Sequence, residues 1–226
     1  MSETIQSLDN KIGQHTAKDA MQQVVEFMKT EGIHVIEIVT LDTLRNFEVQ
    51  ENWEQHKHTF DIVLADNKAI LDVAGVEDEQ LMKEAESSLF IKMFLQFLHK
   101  NQLKVLLLTE DQDALQELRE YIEAEYDKIQ IIETAVWEED GVSEDKLLNC
   151  LNGAESECIL AALPSPMQEE FIIRNRAVLN TKIWFGMGTK FHARNNKKGI
   201  QKMYEALTCK LIKREIKKAR QQDGEK

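Results

Sequence analysis

Proline is nearly missing from this 226-residue chain: there are two, and both fall in Leu163-Pro164-Ser165-Pro166-Met167. Glycine is also sparse, at nine residues. So few turn-formers argue against a loop-rich or low-complexity protein and for long regular elements. Cysteine is scarce and unpatterned: Cys150, Cys158 and Cys209 are odd in number and form no C-x-x-C pair. That excludes a disulfide framework and a zinc box and points to a reducing compartment. No apolar run approaches the ~20 residues needed to cross a bilayer. Met1 to Lys18 is polar, unlike a signal peptide. The expected location is cytoplasmic, at most peripheral on the inner face of a membrane. Walker loops, G-x-S-x-G elbows and kinase motifs are absent, and Gly186-x-Gly188 is too short for a dinucleotide fingerprint.

Hydrophobic residues make up 42% of the chain and charged residues 30%, enough to build a core and too apolar for a disordered tail. Positive charge is scarce except at one end. Residues 190–226 hold 12 Lys/Arg against 4 Asp/Glu, a local +8, whereas residues 1–189 hold 16 against 36, a local -20. A basic arm on an acidic body suggests that the arm meets something negative: a membrane face, a phosphorylated ligand or the body itself. A solvated helix end explains the same charges. No nucleic-acid partner is expected.

Apolar spacing alternates between helix and strand. Residues 16–31 carry a helical stripe (Ala20, Met21, Val24, Phe27) ended by Gly32, and His34–Val39 reads as a strand. Residues 41–53 read as a helix, 61–65 as a strand, and 69–76 as a helix followed by an acidic stretch. Ser88–His99 is strongly amphipathic. Strands are expected at 104–108, 129–132, 158–163 and 183–185, with helices at 111–124, 143–151, 166–175 and 199–220. Runs without alternation, such as Val105–Leu108 and Ile159–Leu163, suit strands buried on both faces. The fold expected is α/β, a mostly parallel sheet with helices on both faces, Rossmann-like. It divides into a domain over 1–190 and a basic helical C-terminal appendage over 191–226.

In such a sheet ligands bind beyond the carboxyl ends of the strands. The polar residues there are Thr40 and Asp42, Asp66 and Asn67, Thr109 and Glu110, Ser165, Gln168 and Glu169, and Lys190 and His192. The proline turn reads as a capped helix start, with Ser165 as N-cap, Pro166 as first helical residue and Gln168 closing a capping box. Free N–H groups at such a helix start suit anions; an ordinary strand–turn–helix link is the simpler explanation of the same residues. Asp66, at the end of an apolar strand, is placed for partial desolvation and general-base work. It could equally be the N-cap of the helix that follows.

These segments resemble a known family. Leu163-Pro164-Ser165-Pro166-Met167-Gln168-Glu169 is similar to the L-G-S-P-K-Q-E motif of the WecG/TagA/CpsF glycosyltransferases. Ile183 to Phe191 resembles their G-V-G-G-S-F-D segment, Ile38-Val39-Thr40-Leu41-Asp42 their V-T-L/P-N, and Asp61 to Asp66 their strand ending in A-D-G. Lys104 to Leu108 resembles the strand before their G-G turn. Order and spacing agree from about residue 11 to 190.

The resemblance implies metal-independent, inverting transfer of an N-acetylhexosamine, typically N-acetylmannosamine, from a UDP-sugar to a polyprenyl-diphosphate-linked sugar in cell-surface polysaccharide or teichoic acid synthesis. No cofactor is implied beyond the UDP-sugar donor. It places the general base on Asp66 and a site threonine on Thr40. Substrate contacts fall on Gln168, Ser165, Glu169, Asn67 and Lys83, the last standing where the family has an arginine. The basic appendage would approach the membrane, with Arg214 and Arg220 as diphosphate contacts, and a homo-oligomer is compatible with the family. Several family residues are replaced. Asn67 stands for the glycine after the aspartate, Glu86-Ser87-Ser88 for G-T/S-D, Thr109-Glu110 for the double glycine, and Lys190-Phe191-His192 for S-F-D. Glycines let backbone approach a diphosphate. A carboxylate in their place repels one by about 1 to 4 kcal/mol at about 4 Å. An alternative function follows from these losses: an inactive relative serving as an interaction or regulatory subunit.

Overall fold

A computed structural model describes residues 11–49, 57–137 and 143–189, with eight α-helices and six strands among them. The order is α1 (Ala17–Phe27), β1 (His34–Val39), α2 (Leu41–Val49), β2 (Ile62–Ala65), α3 (Lys68–Ala74), α4 (Glu79–Glu86), α5 (Leu89–Asn101), β3 (Lys104–Thr109), α6 (Gln112–Glu125), β4 (Gln130–Val136), α7 (Glu144–Gly153), β5 (Cys158–Ala162), α8 (Met167–Asn175) and β6 (Ile183–Gly186). All strands are parallel in one sheet of order β2-β1-β6-β5-β3-β4. The expected α/β architecture is the observed one. The appendage at 191–226, the helix at 199–220 and the residues of the 41–53 helix beyond Val49 lie outside the described residues.

Both faces of the sheet are covered, which explains why its strands are apolar without alternation. On one face Ile36, Leu64, Leu107, Leu160 and Phe185 pack against α1, α5 and α6. On the other Val39, Val63, Leu108, Ile159 and Trp184 pack against α2, α3, α7 and α8. Successive residues of β3 go to opposite faces: Val105 and Leu107 to the first, Leu106 and Leu108 to the second. β4 lies at the sheet edge and is largely exposed, so its sequence is polar (Gln130, Glu133, Thr134) and it runs on past Ile132 to Val136.

Three local features differ from the sequence reading. Asn67, not Asp66, caps α3, its side chain accepting from Ala69 N at 2.9 Å. The acidic stretch after Val76 contains a helix, α4, capped by Asp78, which accepts from the backbones of Gln80 and Leu81. It buries no residue fully and rests on the core through half-buried Leu81, Met82 and Ala85, too narrow a stripe among Glu and Lys to stand out. The proline turn forms no capping box. α8 begins at Met167, Pro166 occupies the cap after a cis Ser165–Pro166 bond, and no side chain caps the helix.

The amino edge is tied by Arg176, just after α8. Its guanidinium donates to both Asp61 oxygens (2.9 and 3.2 Å), to the carbonyls of His58 (3.0 Å) and Ile33 (3.3 Å), and to the carbonyl of Thr59. Asp61 also accepts from Val35 N at 2.7 Å. One partly buried cation therefore joins the starts of β1 and β2 to the end of α8. Arg176→Ala leaves these acceptors without their donor and is expected to cost about 1–3 kcal/mol in urea denaturation. A loss within the ~0.5 kcal/mol usual for surface substitutions would contradict this role.

Candidate functional site

Parallel strands end on one edge, so the polar residues after β1, β2, β5 and β6 meet there. Glu37 organises them. It stands in β1 between Ile36 and Ile38, is 1% exposed, and lies on the face that α8 covers. A buried carboxyl needs a partner. Gln168 supplies it, turning its side chain inward so that Nε2 donates to Glu37 Oε1. Gln168 Oε1 then accepts from the backbone N–H of Gly188 (3.2 Å) and of Leu163 (3.4 Å). These bonds to β1, to the end of β5 and to the turn after β6 outweigh a local capping box, which explains the corrected cap.

Gly186 makes room for this arrangement. It pairs with Glu37 across the β1–β6 ladder. A Cβ there would strike Glu37 Oε2 and come within 2.7 Å of Gln168 Nε2. Gly188 has φ +60°, and a Cβ on it would stand 3.1 Å from Thr40 Cγ2, so Thr40 rests directly on the β6 turn. Thr40 also starts α2 with Thr43. Thr43 N donates to Thr40 Oγ1 (3.1 Å), Thr40 N to Thr43 Oγ1 (3.2 Å), and the two hydroxyls are 2.9 Å apart. Asp66 is joined to the same place through its N–H, which donates to Val39 O at 3.0 Å. Its Oδ2 accepts from Asn67 Nδ2 at 2.9 Å. Asp66, Thr40, Gly188 and Gln168 thus form one contiguous row.

Glu169 is a second buried carboxyl, 2% exposed. Neither of its oxygens, nor Glu37 Oε2, has a hydrogen-bond partner among the described residues. Burial pushes the Glu37 carboxyl well above the ordinary carboxylate range; the charge of Glu169 adds to this and the Gln168 amide opposes it. Burial raises Glu169 too, against its own backbone N–H and the nearby Ser165 and Thr43 side chains. Ser165 Oγ accepts from Asn46 Nδ2 at 3.0 Å, linking the α8 turn to α2.

Beside Asp66, between β1–β2 and the α4–α5 corner, lies a cavity of about 50 Å³ lined by residues including His15, Ile38, Leu64, Glu84 and Ser88. That volume is room for a few water molecules. Glu84 Oε2 accepts from Ala17 N at 2.7 Å, drawing the segment before α1 across this cavity.

Of the residues chosen from sequence, Thr40, Asp66, Asn67, Ser165, Gln168 and Glu169 gather on one edge. Lys83 stands apart on the exposed side of α4, 3.4 Å from Glu79, with its neighbour Glu84 facing the cavity instead. Asp42 is exposed near Arg45 (3.6 Å). Thr109 is fully buried and its hydroxyl donates to Asp111 O. Lys190, His192, Arg214 and Arg220 lie outside the described residues. Sequence reading missed Glu37, although a lone acid inside a strand covered on both faces was a visible signal. No group of three or more metal-ligating side chains occurs among the described residues, and no helix there is long and apolar enough to cross a membrane.

A family model described as "Glycosyl transferase WecG/TagA/CpsF family" matches residues 5–198. No curated protein matches the chain.

Two outcomes follow from the buried carboxyl. Gly186→Ala is expected to cost about 1–3 kcal/mol by overpacking against Glu37 and Gln168; an unchanged urea midpoint would contradict the close approach. The second concerns pH. The unfolded chain releases the Glu37 proton near 4.5, while the native state keeps it to higher pH. Stability from the protonated carboxyl is therefore complete below that value and declines as pH rises toward the raised native pKa. Glu37→Gln removes this decline, so the variant gains on the parent as pH increases from about 4.5. A parent–variant difference that stays flat in denaturation across pH would contradict a neutral Glu37.

Proposed function

The chain belongs to the WecG/TagA/CpsF family of glycosyltransferases, and we propose that it transfers an N-acetylhexosamine of the N-acetylmannosamine type from a UDP-sugar to a polyprenyl-diphosphate-linked sugar, in the synthesis of a cell-surface polysaccharide or teichoic acid. The observation that carries this reading is the row Asp66–Thr40–Gly188–Gln168, which brings segments distant in sequence to the edge where α/β proteins bind ligands.

In this reading Asp66 acts as general base. It takes the proton of the acceptor hydroxyl while that oxygen attacks the anomeric carbon. The new C–O bond forms as the bond to the UDP oxygen breaks, UDP leaves with the electron pair, and the configuration inverts. Thr40, Ser165 and Asn67 border the donor, while Gln168, buried with its amide turned inward, holds the backbone beneath them. The charge of the departing diphosphate falls to the basic C-terminal arm, with Arg214 and Arg220 as contacts, and the same arm brings the protein to the anionic membrane surface that carries the acceptor. No metal is assigned a role. The replacement of the family's double glycine by Thr109-Glu110 favours a second reading: the fold is retained by a regulatory subunit without turnover.

UDP distinguishes the two. A ligand at 100 times its dissociation constant stabilises the native state by about 2.7 kcal/mol, about 5–10 °C in Tm at this size. The transferase reading expects such a saturable rise with UDP. It also expects Asp66→Asn to keep the rise while transfer from UDP-N-acetylmannosamine falls by about 10²–10⁴. A folded parent that shows no shift with UDP or any UDP-sugar would overturn it in favour of the regulatory reading.

A further inference from the structure

We propose that Glu37 is a positioning residue of this edge: its carboxyl holds the Gln168 amide in one orientation, and the amide in turn fixes the backbone of Leu163 and Gly188. The inference rests on the reading of this edge as a donor site.

A glutamine amide has an acceptor end and a donor end, and burial requires both to be matched. Gln168 is 1% exposed. Its Oε1 faces two backbone donors, Leu163 N at 3.4 Å and Gly188 N at 3.2 Å. Its Nε2 faces Glu37 Oε1. A flipped amide would set donors against donors, so a single orientation satisfies the set. If position 37 were apolar, the Nε2 protons would be buried with no acceptor there. The side chain would then turn toward water, and the Gly188 and Leu163 N–H groups would lose Oε1.

Stability alone does not account for Glu37. Val35, Ile36, Ile38 and Val39 around it are all buried, and an apolar residue usually serves such a position as well or better than a buried acid. The acid also forces glycine at position 186, where any Cβ would strike it. What this arrangement secures is geometry. Gly188 is held against Thr40, and Thr40 starts α2 and adjoins Asp66. The acid thus acts on the site through Gln168 and the β6 turn without reaching the edge itself.

The test compares Glu37→Leu with Glu37→Gln in the full chain. Amide hydrogen exchange at Gly188 and Leu163 is measured without ligand, and UDP binding by calorimetry. Glu37→Leu should raise exchange at both amides at least tenfold and weaken UDP at least tenfold. Glu37→Gln, whose side-chain oxygen accepts the same Nε2 proton, should restore both to within about threefold of the parent. A folded Glu37→Leu with unchanged exchange and UDP affinity would overturn the proposal, as would failure of Glu37→Gln to restore them. Should Glu37→Leu fail to fold, Gln168→Met cuts the same link from the other side and must raise Gly188 exchange equally. A parent that binds no UDP would overturn the donor-site reading and leave the exchange comparison to decide the role of Glu37.

Discussion

The carboxyl edge of this sheet depends on one buried amide. Because helices cover both faces, the acid in β1 cannot reach water. It must therefore be met from within the protein, and Gln168 at the start of α8 does so. Several other choices follow from that requirement. The residue opposite in β6 must be glycine, the first turn of α8 cannot use Gln168 as a cap, and the ends of β5 and β6 share its Oε1 as an acceptor. One side chain thus couples the outcome of three strands, and the residues with chemical potential stand on either side of it.

Much of the architecture was legible in the sequence because its physical causes are local. Val105–Leu108 and Ile159–Leu163 are apolar without alternation because both faces are buried, and the strand–helix rhythm makes the sheet parallel. Convergence of Thr40, Asp66 and Gln168 followed from topology alone. What local reasoning misjudged were choices set by distant residues. Gln168 fits a capping box by spacing and is drawn away by Glu37, 131 positions earlier. Asp66 and Asn67 are both plausible caps, and only the fold shows that Asn67 takes the role. α4 was hidden because its buried stripe is thin, and Lys83, placed in the site by motif position, faces solvent on that helix.

The retained and altered parts of the family pattern separate in space. The Thr40–Gly188–Gln168 corner is tightly built: the Gln168 amide takes the Leu163 and Gly188 backbones on Oε1 and the Glu37 carboxyl on Nε2. Alterations lie at its flanks: Asn67 caps α3, Thr109 is buried at the end of β3, and Glu84 rather than Lys83 faces the cavity beside Asp66. Net charge also divides along the chain, negative over residues 1–189 and positive over 190–226.

The central claim, that this edge is where a nucleotide binds, is tested most directly by hydrogen-exchange footprinting of the full chain with and without UDP. The account predicts UDP-dependent protection concentrated in residues 163–169 and 186–189 and around Thr40 and Asp66, with the amino edge near Arg176 unaffected. Protection confined to other surfaces, or none at UDP concentrations up to the millimolar range, would contradict it.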